Sequence, residues 1–269
     1  MKVHHLDCAT MCPLGGRALL GSGGLLTAEL VAHCLLIETD DGLVLVDTGF
    51  GTAEIADPKR LGFGTQAMLR PALRLEQTAL HQVRALGYQR EDVRHIVVTH
   101  LDFDHAGGLA DFPDATVHVF ADELAAATAR ATRLEKSRYV PRQWAHGAQW
   151  QTHETSAESW FEFSAAPLLD GILLVPLVGH TRGHSGVAVQ QGDRWLLHCG
   201  DAFMHRGQLL DDGTAPVGLK VYQRATDVMH ERRVHNLERL RSLRAEHGDE
   251  ITLFCAHDAQ QFAELQTVS

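Results

Sequence analysis

The stretch that most constrains this chain is Thr99-His100-Leu101-Asp102-Phe103-Asp104-His105-Ala106-Gly107-Gly108, which directly follows a strand-like run, His95–Thr99. Four side chains able to ligate a metal fall within six positions, and apolar Leu101 and Phe103 alternate with them. Imidazole and carboxylate suit divalent zinc, iron or manganese. At a strand end the chain turns, so alternate polar side chains converge while Leu101 and Phe103 pack inward. Gly107 and Gly108 let the next backbone come close. A merely solvated turn needs no apolar residues at alternate positions.

Other ligand-type residues end other apolar runs. His180 follows Ile172–Leu177 in Gly179-His180-Thr181-Arg182-Gly183-His184, Asp201 follows Arg194–Cys199, and His257 follows Ile251–Ala256. Singly, each reads as an ordinary loop or core residue. Together, four strand-end loops with metal-competent side chains describe one cleft. Histidine is abundant, at 18 residues, and His198 and His205 flank Asp201.

Further strands are expected at Val31–Glu38, Leu43–Asp47, Thr116–Phe120 and Val187–Gln191, with Asp40-Asp41-Gly42 and Gly192-Asp193 as hairpin turns. Helical spacing predicts long helices over Thr65–Leu86, stopped by Gly87, and over Arg224–Glu246, with Gly248 just beyond. Hairpins plus amphipathic helices imply mixed sheets covered by helices, an α+β layered body. With 269 residues and no linker-like stretch, one domain over 1–269 is expected. Residues 133–163 stand apart. Trp144, Trp150 and Trp160, with Tyr139 and Phe163, show no clean period and read either as an aromatic insertion capping a pocket or as a satellite hydrophobic cluster under a loop.

The formal charge is −10, from 24 basic and 34 acidic residues. That argues against a general binder of nucleic acid or anionic membranes. No run of about 20 apolar residues is available to span a membrane. His4, His5 and Asp7 lie where a signal peptide carries its apolar stretch, so a cytoplasmic protein is expected. Cys8 and Cys12 form a lone C-x3-C pair, and Cys34, Cys199 and Cys255 read as small core residues. No nucleophile elbow surrounds Ser185.

As a set, these motifs resemble those of the metallo-β-lactamase-fold hydrolase superfamily. The resemblance rests on Leu45-Val46-Asp47-Thr48-Gly49, the His100 motif, the segment Gly179–His184, Asp201 and His257, and so spans nearly the whole chain. It implies an α+β fold, a four-layer αββα sandwich of two mixed sheets flanked by helices, with a dinuclear metal site at one edge of the facing sheets. By position it assigns His100, Asp102 and His180 to one ion, and Asp104, His105 and His257 to a second, with Asp201 bridging. Zinc is the first expectation for both ions, with iron or manganese as alternatives. Asp104 and Asp201 would carry the catalysis, Asp104 as proton shuttle. Asp47 and His184 match positions that support ligands without binding metal.

The implied chemistry is hydrolysis of a lactone or other carboxylic ester by a metal-bound hydroxide, and the layout resembles most the N-acyl-homoserine lactonase group. Two positions depart from that pattern. Asp102 stands where the commonest motif has a second histidine. Two dications against three aspartates and a hydroxide then leave a neutral site, whose water should be more basic. Oxygen in place of nitrogen also shifts preference toward iron or manganese. Met204 stands where those lactonases carry a tyrosine that binds the carbonyl oxygen. Tyr139, Tyr222 or His205 are candidates to replace it, while Trp144 and Trp150, with Trp160 and Phe163, are candidates for an apolar wall. The alternatives are a glutathione-thioester hydrolase of the glyoxalase II kind, a di-iron oxidoreductase, and a sensing protein without turnover. For the first of these, Arg130, Arg133, Lys136, Arg138 and Arg142 would supply a cationic patch. The expected partner is a small-molecule substrate, and the number of subunits is not legible.

Overall fold

In the computed structural model, which describes residues 1–155, 159–210 and 214–267, the apolar runs build two sheets buried on both faces. The first holds β1 (Lys2–Met11), β2 (Leu30–Thr39), β3 (Gly42–Val46), β4 (Val93–Val97), β5 (Thr116–Phe120) and β6 (Gln149–His153), side by side in that order. A two-stranded hairpin, β7 (Ser159–Trp160) and β8 (Phe163–Ser164), precedes the second sheet. That sheet holds β9 (Ala166–Leu169), β10 (Ile172–Pro176), β11 (Ser185–Gln191), β12 (Arg194–His198) and β13 (Ile251–Phe254), each beside the next. Both sheets are mixed. β3 to β6 run parallel, as do β12 and β13, and the other pairs are antiparallel.

The helices are α1 (Gly16–Leu20), α2 (Thr52–Ala56), α3 (Phe63–Leu69), α4 (Ala79–Ala85) and α5 (Ala121–Ala129). There follow α6 (Arg133–Arg138), α7 (Val217–Thr226), α8 (His230–His247) and α9 (Ala259–Gln266). No helix among the described residues is long and apolar enough to cross a membrane.

Period-two alternation divides each strand between two cores. Leu35, Ile37, Val44, Val46 and Val97 face Ile172, Leu174, Val187, Val189 and Leu196 between the sheets. Their neighbours Leu36, Leu45, Ile96 and Val117 face outward, under Val83 of α4 and Ala126 and Ala127 of α5. On the far side, Leu177, Leu197 and Leu253 lie under Leu237, Leu240 and Leu243 of α8. Each such aliphatic side chain contributes about 1.5–3 kcal/mol on burial. The layers run helix, sheet, sheet, helix, which is the expected αββα sandwich.

Three expectations about elements are corrected. The helix expected over Thr65–Leu86 is two helices, α3 and α4, because Pro71 lacks an N–H and both Arg70 and Leu73 take positive φ. The helix expected over Arg224–Glu246 breaks between α7 and α8, where Val228 and Met229 donate their N–H groups to His180 and Gly179. Residues 133–163, expected to lack regular structure, contain α6, a 3-10 turn at Pro141–Gln143, β6 and β7; residues 156–158 of that stretch lie outside the described residues. Strand β1 was not legible, since His4, Asp7 and Thr10 interrupt its apolar pattern and its pairing with β2 shifts register between Asp7 and Thr10.

The surplus of histidine is partly structural. His95 of β4, His118 of β5 and His153 of β6 form a ladder, with Nδ1 of each of the first two 3.0 Å from Nε2 of the next. Burial, then the proximity of His95 and His153, pushes His118 down to about 4 from 6.5. The unfolded chain therefore takes up the proton first. The stability associated with neutral His118 is complete above pH 6.5 and is lost as pH falls toward 4. In urea titrations at successive pH values, His118→Gln should lose less stability than the parent over this window.

Gly107 and Gly51 press two loops together: a Cβ on Gly107 would lie 2.6 Å from the Gly49 carbonyl oxygen and 2.9 Å from Phe50 Cα. Gly64 of α3 meets nothing within 4 Å. Gly107→Ala should cost about 2–4 kcal/mol in chemical denaturation, whereas Gly64→Ala should be neutral or gain up to about 1 kcal/mol.

Candidate metal centre

The centre is assembled where strands of both sheets end at one edge. After β3 the chain turns at Asp47, which is buried and takes φ 56°. Its two oxygens accept from Thr99 N–H (2.7 Å), Thr99 Oγ1 (2.7 Å) and His105 Nδ1 (2.8 Å), which holds the left-handed turn in place. After β4 the motif loop follows, with Leu101 buried in the outer core and Phe103 stacked on Phe50. Buried Glu123 of α5 ties this loop to the one after β10. It accepts from Leu101 N–H at one oxygen, and from Thr181 Oγ1 and Gly183 N–H at the other.

Two groups of ligand atoms result, His100 with His180 and Asp201, and Asp104 with His105 and His257, each within 4.8 Å of one another and all buried. His257 Nε2 lies 3.1 Å and His105 Nε2 3.5 Å from Asp201 Oδ1, while His180 Nε2 is 3.4 Å from Asp201 Oδ2. Asp201 thus stands between the two groups. Three of the four rings are held by a hydrogen bond at the other nitrogen. His105 Nδ1 donates to Asp47, His257 Nδ1 to the Val31 carbonyl at 2.7 Å, and His100 Nδ1 to Thr99 Oγ1 at 3.0 Å. His180 Nδ1 faces Asp227 Oδ1 at 3.5 Å. The Nε2 lone pairs therefore point inward. His100 Nε2, His105 Nε2, Asp102 Oδ1 and Asp201 Oδ1 are buried without any hydrogen-bond partner. Buried polar atoms rarely stay unpaired, and divalent cations would satisfy all four, so the residues present fit metal ions.

The electrostatics agree. Burial alone would lower the histidines, but Asp47, Asp104 and Asp201 raise His105 to about 10, and Asp102, Asp227 and Asp201 raise His180 to about 9 despite Arg138. Burial would raise Asp201, yet His257 and His105 hold it well below the usual carboxylate range. The cage therefore favours positive charge, whether supplied by protons or by a cation.

Asp102 stands at the edge of the first group. Its Oδ2 is 3.2 Å from His180 Nε2 and 3.5 Å from His100 Nε2, but also 3.3 Å from Arg138 Nη1. Arg138, at the end of α6, is only 5% exposed, and its guanidinium also donates to the carbonyls of His180 and Thr226. Burial would raise Asp102; Arg138 and His100 hold it well below the ordinary range. In the sequence Arg138 is only one member of a cationic patch, and nothing there marks its buried pair with Asp102. Asp227, bonded to His230 and Arg233 in the unexpected break before α8, is unmarked as well. Nothing in the residue pattern marked Glu123, which looks like one more polar position on α5.

His184 sits beneath the centre. Its Nε2 accepts from Asp201 N–H at 2.9 Å and its Nδ1 donates to the Leu177 carbonyl at 3.0 Å, which leaves no lone pair for a metal. His198 is buried, bonded to the His33 carbonyl and to Gly200 N–H.

The centre forms the floor of a cavity of about 690 Å³, whose lining includes Asp102, Asp104, His180, Asp201, His257, Tyr139, Met204 and Tyr222. The aromatic wall is not where it was expected. Trp144 and Trp150 meet edge to face and pack against the outer core of the first sheet, and Trp160 and Phe163 belong to the core under α8. None of the four lines the cavity: β6 continues the first sheet and carries Trp150 to its outer core, and the β7–β8 hairpin carries Trp160 and Phe163 to the core under α8. His205 is also outside this lining; its Nδ1 accepts from Gly207 N–H. Tyr139 lines the cavity but its ring is buried in the outer core.

A sequence profile described as the metallo-beta-lactamase superfamily matches residues 28–251. The chain belongs to that superfamily. A probable metallo-hydrolase of Mycobacterium tuberculosis is 44% identical over 262 residues, covering 96% of this chain and 80% of that protein. An N-acyl homoserine lactonase of Bacillus cereus is 27% identical over 175 residues, 65% of this chain and 63% of its own. Among solved structures, a variant of AiiA from B. thuringiensis with N-decanoyl-L-homoserine bound at the active site has a TM-score of 0.74 at 20% identity, over 98% of this chain and 95% of that one. AidC, a dizinc quorum-quenching lactonase, has a TM-score of 0.64 at 14% identity, over 96% and 90%. At these identities the structural likeness is one of fold. The chain is a metallo-hydrolase of this superfamily.

The buried Asp102–Arg138 pair yields a direct test. Removing one partner strands a buried charge, at a cost of about 3–5 kcal/mol. Arg138→Met and Asp102→Asn should each destabilise the chelator-treated protein to this order. The double variant should cost less than their sum by at least about 1 kcal/mol, as read by urea denaturation of all four proteins.

Proposed function

We propose that this metallo-hydrolase cleaves a carboxylic ester bond, with lactones as the first substrate class, at a two-ion centre. His100, Asp102 and His180 would hold one ion and Asp104, His105 and His257 the other, with Asp201 shared. The observation that carries the reading is the set of buried, unpartnered ring nitrogens and carboxylate oxygens converging on the floor of the cavity. Likeness to the lactonases supports the substrate class. Divalent ions there, zinc first with iron or manganese as alternatives, supply an activated water at neutral pH and an electrophile for the carbonyl oxygen.

The chain's own groups do the rest. Asp104 lines the cavity and accepts the proton released from the attacking water, then returns it to the leaving alkoxide. Asp201 is fixed from below by the bond from its own N–H to His184. Tyr222 takes the place left open by Met204. It lines the cavity, and burial together with Asp104, Asp201 and Asp102 raises its pKa, so its phenol keeps the proton and donates to the carbonyl oxygen as charge develops there. An adjoining apolar pocket of about 280 Å³, lined by Leu20, Leu30, Met68, Met204, Leu219 and Tyr222, offers room for an acyl group.

Arg138 changes the charge count. Two dications against three aspartates and a hydroxide come to zero, and the buried guanidinium adds one positive charge beside Asp102. The water is then more acidic than the motif alone implies.

Lactone opening followed by proton release should fall at least about 100-fold on chelation and return with zinc. Asp104→Asn should lower kcat about 10²–10⁴-fold, and Tyr222→Phe about 10–100-fold, with circular dichroism unchanged. Turnover that survives complete metal removal would overturn the reading.

A further inference from the structure

The wall of the cavity differs in charge from the rest of the molecule. Among the described residues six basic ones line it, Lys59, Arg60, Arg130, Lys136, Arg138 and Arg142, whereas its only carboxylates are Asp102, Asp104 and Asp201 at the floor. This concentration occurs in a chain of formal charge −10. Two of the cations have carboxylate partners, Arg60 with Glu54 at 3.2 Å and Arg138 with Asp102. Among the described residues no carboxylate lies within ion-pair distance of Lys59, Arg130, Lys136 or Arg142. Arg130 Nε is buried and has no hydrogen-bond partner.

The two sides of the mouth are braced. Arg60 donates to the Arg142 carbonyl at 3.1 Å, joining the 3-10 turn at Pro58–Leu61 to the one at Pro141–Gln143. Arg130 donates to the Lys136 carbonyl at 2.8 Å, joining the end of α5 to α6. A cleft with walls of one sign focuses its field and gathers the opposite charge, raising local ligand concentration about 10–10³-fold. With the two ions and Arg138 counted, the floor does not cancel that field.

We propose that the substrate carries a permanent anionic group, a carboxylate or a phosphate, seated at the rim of Lys59, Arg130, Lys136 and Arg142 while its ester or thioester reaches the floor. This rests on the ester-hydrolysis reading and narrows it, since a lactone with an uncharged acyl chain leaves these four cations without a counter-ion.

The test uses the metal-loaded full chain and three esters that share one acyl group. One bears a carboxylate on the leaving alcohol, one a phosphate, and one a neutral amide. At about 0.02 M salt the better anionic ester should exceed the neutral one at least about tenfold in kcat/KM. The ratio should shrink at about 0.5 M salt, where the Debye length is only a few ångströms. The larger of the two anionic ratios identifies the anion. In Lys136→Gln/Arg142→Gln the ratio should move toward unity; in Arg244→Gln, which removes a distant surface charge, it should not move. Non-hydrolysable amide analogues of the three, titrated by calorimetry, give the same comparison without turnover. Equal or weaker binding of the anionic analogues at low salt overturns the inference, whatever the activity. Absence of turnover with all three esters, while the anionic analogues still bind more tightly, overturns the ester reading and leaves the anion site standing.

Discussion

The centre depends on how its imidazoles are held from behind. A histidine offers one nitrogen to a metal only if the other is committed to a donor bond, because that bond selects the tautomer and the orientation of the ring. Here the holding groups come from distant parts of the chain: Asp47 after β3, Val31 in β2 and Thr99 at the end of β4, while Asp227, between α7 and α8, faces the fourth ring at 3.5 Å. Each is placed by the sandwich. The layered core is thus the means by which seven ligand-type side chains face one another before any cation arrives.

The same logic separates the histidines that face the centre from those that do not. His184 and His198 are equally buried and close by, yet both of their nitrogens are engaged with backbone groups. The imidazoles of the ladder across β4, β5 and β6 engage one another. Burial alone does not distinguish a ligand-type histidine from a structural one; here the difference is whether a ring nitrogen faces the carboxylates of the centre.

Much of this was legible in the residues. The runs of Val, Ile and Leu marked eight of the strands because those strands are buried on both faces and need apolar residues throughout. The motif around His100 was legible because its six positions are local. β1 and β6 were not, since each is an edge strand whose exposed positions admit polar residues, as Gln149, Gln151 and Thr152 show for β6. The tryptophans misled for a related reason: an aromatic side chain in an irregular-looking segment fits a cap or a core, and only strand pairings such as that of β6, which carries Trp150, with β5 decide. Arg138 and Asp227 could not be assigned from spacing, because each acts through a side chain far away in sequence.

Asp102 illustrates how a departure from a motif is absorbed. An aspartate in place of a histidine adds a negative charge to a site already rich in carboxylates, and burial makes that charge costly unless a cation is near. Arg138 meets the requirement, with a bond to the His180 carbonyl as well, so the compensating charge also fixes the loop that carries the neighbouring ligand. The stretch from Arg130 to Arg142 therefore has two tasks at different depths. Its buried arginine balances the floor, while its exposed cations set the sign of the field at the mouth. The departure at position 102 and the buried arginine that ends α6 therefore belong together.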